Sequence, residues 1–347
     1  MAVFPLLARP EEYHPCAADL SADAAARRYW LNLFETHFEL QLGAATAAGA
    51  DDIACNRARR SLRRALAALR ERPDRFKPLN LLVLDSVRQQ ALAVGGIVDE
   101  FRLVKDRANT AALAALPRRL AALDHLAGGP LIEALARGLL AGNLFDMGAK
   151  ASAERFADRD VPFDEALAQL PPRPWLVDDL DRLAAWLLAG RRGGPRRAVI
   201  FADNAGPDAV LGVLPFARFL VKADADVILA ANDRPSLNDV TVHELRDLLT
   251  RVCEIDRAFR SPRLSVVGSG CGAPLIDLGE VSDALADATA GADFVVLIGM
   301  GRAIESNWSA AFICPCLRIA TLKDPQVAMT LGGSIFDAVL RFDLPSP

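Results

Sequence analysis

The chain has no apolar run long enough to cross a bilayer. Its opening stretch, "MAVFPLLARPEEYHP", lacks a cationic start followed by an apolar segment, so a signal peptide is not expected and a soluble cytoplasmic protein is. There is no basic excess either. The formal net charge is −4, which argues against nucleic acid as the main partner, because a phosphate backbone demands a basic face. The local cluster "RARRSLRRALAALRERPDRF" interleaves Ala and Leu at helical spacing and reads as a solvated helix face. Histidine is scarce: His14, His37, His125 and His243 form no HExxH spacing. The six cysteines contain no CxxC pair, and Cys314 and Cys316 alternate on a strand-like segment as small buried hydrophobes. This usage fits a reducing compartment. A bound metal would therefore be held mainly by oxygen. No GK[ST] follows a glycine-rich turn, no GxGxxG sits in a βαβ context, and there is no tandem repeat.

What is present divides the 347 residues into two textures. Residues 1–195 are rich in Ala, Leu and Arg, with long helical periodicity in "ADAAARRYWLNLFETHFELQLGAA", "ACNRARRSLRRALAALRER", "TAALAALPRRLAALDHLA" and "PLIEALARGLLAGNLFDMGAKASAERF". The turn-rich "RRGGPRR" at 191–197 marks the expected boundary. Residues 196–347 alternate short apolar runs with helical stretches. The runs are "AVIFAD", "DVILAAN", "LSVVGSG", "DFVVLIG", "LRIATLK" and "IFDAVLRF". Continuous apolar strands of this kind predict a three-layer α/β/α fold around a mainly parallel sheet, with a helical N-terminal domain before it.

Nearly every run ends in a polar or glycine cluster, and in open parallel sheets ligands bind outside the carboxyl ends of the strands. The spacing thus predicts one crevice built from distant segments. Asp203 and Asn204 end the first run and offer oxygens that a hard cation prefers. They also read as a cap for a helix beginning near Pro207. Asn238 and Asp239 precede another helix, where the cap reading is strong, yet Asp239 is also the natural third ligand. A haloacid-dehalogenase-type arrangement is excluded, since its second Asp falls at Ala205. The turns holding Gly268, Ser269 and Gly270, and Gly299 and Gly301, expose backbone N–H groups suited to phosphate. Arg302 is placed either as a phosphate clamp or as a partner for a helix C-terminus, and Lys323 as a cation for a phosphoryl transition state. Asn143 and Asp146 share one face of an apolar helix and either tie helices together or line the crevice.

The segments "FADNAGPDAVLGVLPFARFL", "ILAANDRPSLNDVT", "GADFVVLIGMGRAI" and "LGGSIFDAVLRFD" resemble the damage-control phosphatases. So do "FPLLARPEEYHP", "AAARRYWLNLFE", "GLLAGNLFDMGAKA" and "RPWLVDDL", which extend the likeness along nearly the whole chain. The branch approached most is that of the 4′-phosphopantetheine phosphatase domain of the vertebrate pantothenate-kinase-like protein. The resemblance implies metal-dependent hydrolysis of a small phosphorylated metabolite, 4′-phosphopantetheine or its oxidised forms, with Co²⁺, Ni²⁺, Mn²⁺ or Mg²⁺ as the metal. It implies Asp203, Asn204 and Asp239 as ligands, Lys323 as the active-site lysine and Arg302 as part of the branch motif. Two positions depart from the pattern. Ile298 stands where the branch carries Glu, and Ala108 stands where it carries Glu before Asn109. The metal set is intact, while the two absent acids bear on substrate choice or rate. The nucleophile is Asp203 or a water activated at the site. A second reading, motivated by Ile298 and Ala108, is a catalytically weak protein that binds metal and phosphometabolite. Carboxyl methyl transfer, claimed for a distant branch, lacks a glycine-rich cofactor loop here.

Overall fold

A computed structural model describes residues 1–16, 18–145, 163–189 and 194–345. Helices α1 (Ala24–Ala47), α2 (Asp52–Glu71) and α3 (Leu81–Gly95) each begin where a short polar side chain accepts the first free backbone N–H groups. Those caps are Asp23, Asp51 and Asn80. Helices α4 (Arg102–Asp124) and α5 (Gly128–Gly142) follow. Next come α6 (Phe163–Gln169), β1 (Val177–Asp178) and α7 (Leu180–Leu188). Helix α5 ends at Gly142, fourteen residues short of the periodic stretch read from the sequence, and everything beyond Phe145 in that stretch lies outside the described residues.

The second half supplies β2 (Arg197–Phe201), a π-helical turn (Asp208–Val213) running into α8 (Leu214–Lys222), β3 (Asp226–Ala231) and α9 (Val242–Ile255). It continues with β4 (Leu264–Gly268), α10 (Asp283–Thr289), β5 (Phe294–Ile298) and a second π-helical turn (Met300–Glu305). Strand β6 (Cys316–Thr321), α11 (Pro325–Thr330) and β7 (Ala338–Asp343) complete it. The seven strands lie in the order β1-β7-β6-β5-β2-β3-β4. Five run parallel, while β7 is antiparallel to β6 and takes β1 with it. All six apolar runs are strands, and the fold is α/β with a mainly parallel sheet. Strand β1 had no legible run, being two residues long and held only along β7.

Strand side chains divide between two cores with period two, as a sheet covered on both faces requires. Ala198, Ile200, Phe294, Val296 and Ile298 face the layer of α4, α5, α7 and α8. Val199, Phe201, Val295 and Leu297 face α1, α2 and α3. The N-terminal helices therefore cover both faces of the sheet, and each core draws residues from both sides of position 195.

Strand β2 is bordered by β3 on one side and β5 on the other. The chain leaves β2 toward β3, then returns past it to continue through β5 and β6. This reversal is the topological switch point, where the loops after two parallel neighbours diverge and open a crevice. Both bordering strands that frame it, β2 and β5, lead into the two π-helical turns, a backbone form that recurs at functional sites.

Candidate active site

The turn after β2 is laced to the segment before α9. Ala205 N–H donates to Asn238 O (2.9 Å) and Val240 N–H to Asp203 O (2.9 Å). This antiparallel bridge sets Asn204 beside Asp239 and brings Asp203, Asn204 and Asp239 together. None of them caps a helix. The cap of α9 is Thr241, in a reciprocal capping box with Glu244, so the cap assigned to Asn238-Asp239 from the sequence falls two residues further on. The turn at 208–213 has no side-chain cap. The bond runs the other way: Asn204 N–H donates to the Asp208 carboxylate at 3.2 Å.

Arg302 joins the two acids. Nη1 donates to Asp203 Oδ1, and Nη2 to Asp239 Oδ2 (2.7 Å) and Asn232 Oδ1 (3.0 Å). Asn232 Nδ2 in turn donates to Asp239 Oδ2 at 3.0 Å. On the other flank, Asn143 Nδ2 donates to Asp203 Oδ2 at 2.8 Å. Asn143 sits directly after α5, and its neighbour Gly142 makes the approach possible: a Cβ there would lie 2.7 Å from Asp208 Cα. Lys323, after β6, donates to Asn143 O (2.8 Å) and Oδ1 (3.1 Å). All of these side chains are buried.

Burial disfavours the Arg302 charge, but Asp239 and then Asp203 outweigh it, and its pKa is raised. Burial first, and then the neighbouring Asp203 charge, push Asp208 up to about 7. Its Oδ1 has no hydrogen-bond partner among the described residues.

A cavity of about 450 Å³ opens over this network. Asp203, Asp239, Lys323 and Asp324 form its polar floor, and Tyr29, Trp30 and Phe34 from α1 form an aromatic wall. Tyr29 Oη donates to Asp324 Oδ2 at 2.6 Å, which ties wall to floor. Two carboxylates on the floor, Asp203 and Asp239, are donors of the kind a hard divalent cation takes, while Asn204 lies buried beside them and does not line the cavity. The Asn204 amide nitrogen is spent on Asp203 and Asp208, both at 3.0 Å, and its oxygen accepts no hydrogen bond among the described residues. Asp203 Oδ2 accepts from Asn143 and Asn204, and Asp239 Oδ2 from Arg302 and Asn232, so both carboxylates are fixed in orientation. Among the described residues, no group of three His, Cys, Asp or Glu side chains forms a metal cluster.

A family model described as the damage-control phosphatase ARMT1-like domain matches residues 37–339. The chain belongs to the damage-control phosphatase family. It is similar to damage-control phosphatase At2g17340 of Arabidopsis thaliana, at 39% identity over 77% of this chain and 73% of that protein. It is similar to the 4′-phosphopantetheine phosphatase of Mus musculus, at 32% identity over 99% of this chain and 48% of that protein. A third relative is pantothenate kinase 2 of Arabidopsis thaliana, at 36% identity over all of this chain and 42% of that protein. The chain thus spans less than half the length of the last two. A crystal structure of a DUF89 family protein from Pyrococcus horikoshii shares the fold, with TM-score 0.61 at 17% identity over 89% of this chain and 96% of that one.

Within this damage-control phosphatase fold the expected site residues separate. Asp203, Asn204, Asp239, Arg302, Lys323, Asn143, Gly299 and Gly301 meet at the switch point. Arg302 does not line the cavity. Its guanidinium is committed to Asp203, Asp239 and Asn232, so it positions carboxylates instead of clamping phosphate. The Gly268-Ser269-Gly270 turn is also away from the cavity. Its Gly270 N–H already donates to the Asp233 carboxylate, and Ser269 Oγ lies 3.2 Å from Cys271 Sγ, so the protein's own acid occupies the place proposed for phosphate. Asn109 Oδ1 accepts Gly206 N–H at 2.7 Å and braces the turn after Asp203. Asp146 lies outside the described residues. Ile298 is buried in the apolar layer with Ala202 and Ala205, not at an open sheet edge. Ala108 packs on the other side of that turn, its Cβ 2.7 Å from where a Gly206 Cβ would stand. His243 is exposed and faces Asp247.

Three buried polar residues at the centre were given no role from sequence: Asp208, Asn232 and Asp324. Asn232 and Asp324 do end apolar runs, the same signal that singled out Asp203. Asp208 sits inside a helical pattern, where an acid in the first turn ordinarily serves the helix dipole. Among the described residues, no helix is long and apolar enough to cross a membrane.

Proposed function

We propose that this protein is a divalent-metal-dependent phosphatase of small phosphomonoesters, with 4′-phosphopantetheine or its oxidised forms as the substrate class. The observation that carries the reading is the meeting of Asp203, Asp239 and Lys323 on the floor of one cavity with an aromatic wall. The family membership and the printed names of two relatives support the phosphatase class. Asp203, Asn204 and Asp239 would hold the cation (Co²⁺, Ni²⁺, Mn²⁺ or Mg²⁺), which when bound supplies Lewis-acid polarisation of the phosphoryl group.

The chain's own residues do the rest. Asn143 fixes the Asp203 carboxylate through Oδ2, and Arg302 fixes it through Oδ1. Arg302 fixes Asp239 in the same way. The Lys323 ammonium, held against the Asn143 carbonyl, offers its charge to developing negative charge on phosphoryl oxygens. The wall from α1 receives the organic part of the ester and excludes water around it. Ile298 faces the core and does not line the cavity.

The test is phosphate release from 4′-phosphopantetheine and an aryl phosphate after chelation and re-addition of each of the four metals. Activity restored by metal in the wild type, and abolished in Asp203→Asn, is the expected result. No release with any metal, or an unchanged rate in Asp203→Asn, overturns the proposal.

A further inference from the structure

The cavity floor is accounted for by phosphate and metal, but one cation on its rim is not. Arg88, from the middle of α3, lines the same cavity as Asp203, Asp239 and Lys323. It is 5% exposed. A buried guanidinium requires acceptors for its N–H groups, or it carries the full desolvation penalty. Nη2 donates to Asp85, and the cation lies over the Phe34 ring with Cζ 5.4 Å from the centroid. Nε is buried with no acceptor among the described residues, and Nη1 donates to none of them. The contrast with Arg318 is plain. That buried arginine spends its fork on Asn307 O (2.9 Å), Ala310 O and Asp343 (2.6 Å).

The Arg88 side chain is also held in place. Asp85 is anchored by Gln89 Nε2 at 2.7 Å, and Gln89 reaches across to Gly272 O. Phe34 and Asp85 together fix the guanidinium plane while leaving part of its fork open. Its open side faces the cavity.

We infer that Arg88 determines specificity: it receives a planar oxygen acceptor, a carbonyl or carboxylate, carried by the organic portion of the phosphomonoester. This rests on the phosphatase reading of the floor. Asp85 neutralises Arg88 locally, so selection comes from hydrogen-bond direction more than from net attraction. An ester with no such acceptor leaves buried N–H groups unpaired and is rejected, as sites built to bind a polar group reject analogues that lack it.

The test uses matched alkyl phosphates that end in an amide, a carboxylate or a methyl group, assayed with the wild type, Arg88→Met and Arg88→Lys. Loss of one such bond is expected to raise KM about ten-fold for the amide or the carboxylate ester, with kcat changed far less. The rise for the methyl-ended ester is expected to be several-fold smaller. Whichever of amide or carboxylate shows the larger effect identifies the acceptor. Equal KM changes across all three esters, or none, overturn the inference. If Arg88→Met does not fold, as judged by its thermal transition, Arg88→Lys carries the comparison, because it keeps the charge beside Asp85 and loses the fork. If the wild type hydrolyses none of the esters, the phosphatase reading fails by itself. Calorimetric binding of the same three compounds to wild type and variant then still decides the role of Arg88.

Discussion

Gly299→Ala is a direct probe of how tightly the site is built. Gly299 has φ +93° and ψ 152°, a region open essentially to glycine, so any side chain there costs about 1–3 kcal/mol in backbone strain. A Cβ at this position would also stand 2.1 Å from Asp203 Oδ2 and 2.3 Å from its Cγ. Asp203 has nowhere to go, since Arg302, Asn143 and Asn204 hold it from three sides. Overpacking of this kind adds about 1–3 kcal/mol. The sum, about 4 kcal/mol, is a large share of an ordinary domain's stability. Gly291→Ala is the comparison without the contact: Gly291 also has a positive φ (+74°), but nothing lies within 4 Å of its would-be Cβ. Urea unfolding of the two variants beside wild type is the measurement. Gly299→Ala is expected to lose at least about 2 kcal/mol more than Gly291→Ala, and to lose phosphatase rate while Gly291→Ala keeps it. Equal destabilisation of the two variants would mean that Asp203 yields freely, and the picture of a pinned carboxylate would be wrong.

Two further outcomes follow from the same structure. Thr241→Ala removes one half of the capping box on α9 and is expected to cost about 1 kcal/mol in chemical denaturation; an unchanged midpoint would return the cap to Asn238-Asp239. Arg218 bridges Asp124 (both oxygens at 2.8 Å) and Asp256 (2.7 Å), tying α4 and α8 to the end of α9. Hydrogen bonding from Arg218 lowers the Asp124 pKa to about 2. Asp256 is lowered too: burial pushes it up, but the Ala258 N–H and Arg218 outweigh burial. Both folded values lie below the unfolded one, so the stabilisation is full above about pH 4 and is lost as pH falls toward about 2. Asp124 is half exposed, and screening holds its share to about 1 kcal/mol. The stability gap between wild type and Arg218→Gln, measured by denaturant titration, is expected to shrink from about pH 6 to about pH 3. A gap independent of pH would show that the ion pairs contribute through packing alone.

The sheet was legible because its strands are buried on both faces and therefore read as unbroken apolar runs. Strand β1 was not, because two residues carry no period. Asp203, Asn204 and Asp239 stood out as polar residues at strand ends or just before a helix, and parallel topology brings such ends to one edge. The same rule selected Gly268, Ser269 and Gly270 as a phosphate cradle, and there it failed. Nothing in the local pattern shows that Asp233, from the loop after β3, folds back to fill that turn. Arg302 was read as a phosphate ligand for a similar reason. A free guanidinium and one committed to two buried acids look alike until the acids are placed.

Local chemistry thus determined the elements, the sheet edge at which function gathers and the oxygen donors available there. These depend on propensity, period and residue type over short spans, which a linear string records. Tertiary structure decided which donors remain available once neighbours have claimed theirs. It took Thr241 for the cap and released Asp239, and it spent Arg302 on the carboxylates. It brought Asp208 and Asn143 beside Asp203, and it turned one face of α1 and one arginine of α3 into a cavity wall. Several of the deciding hydrogen bonds join residues sixty or more positions apart, such as Asn143 with Asp203 and Arg302 with Asp203. No periodicity encodes a contact of that range.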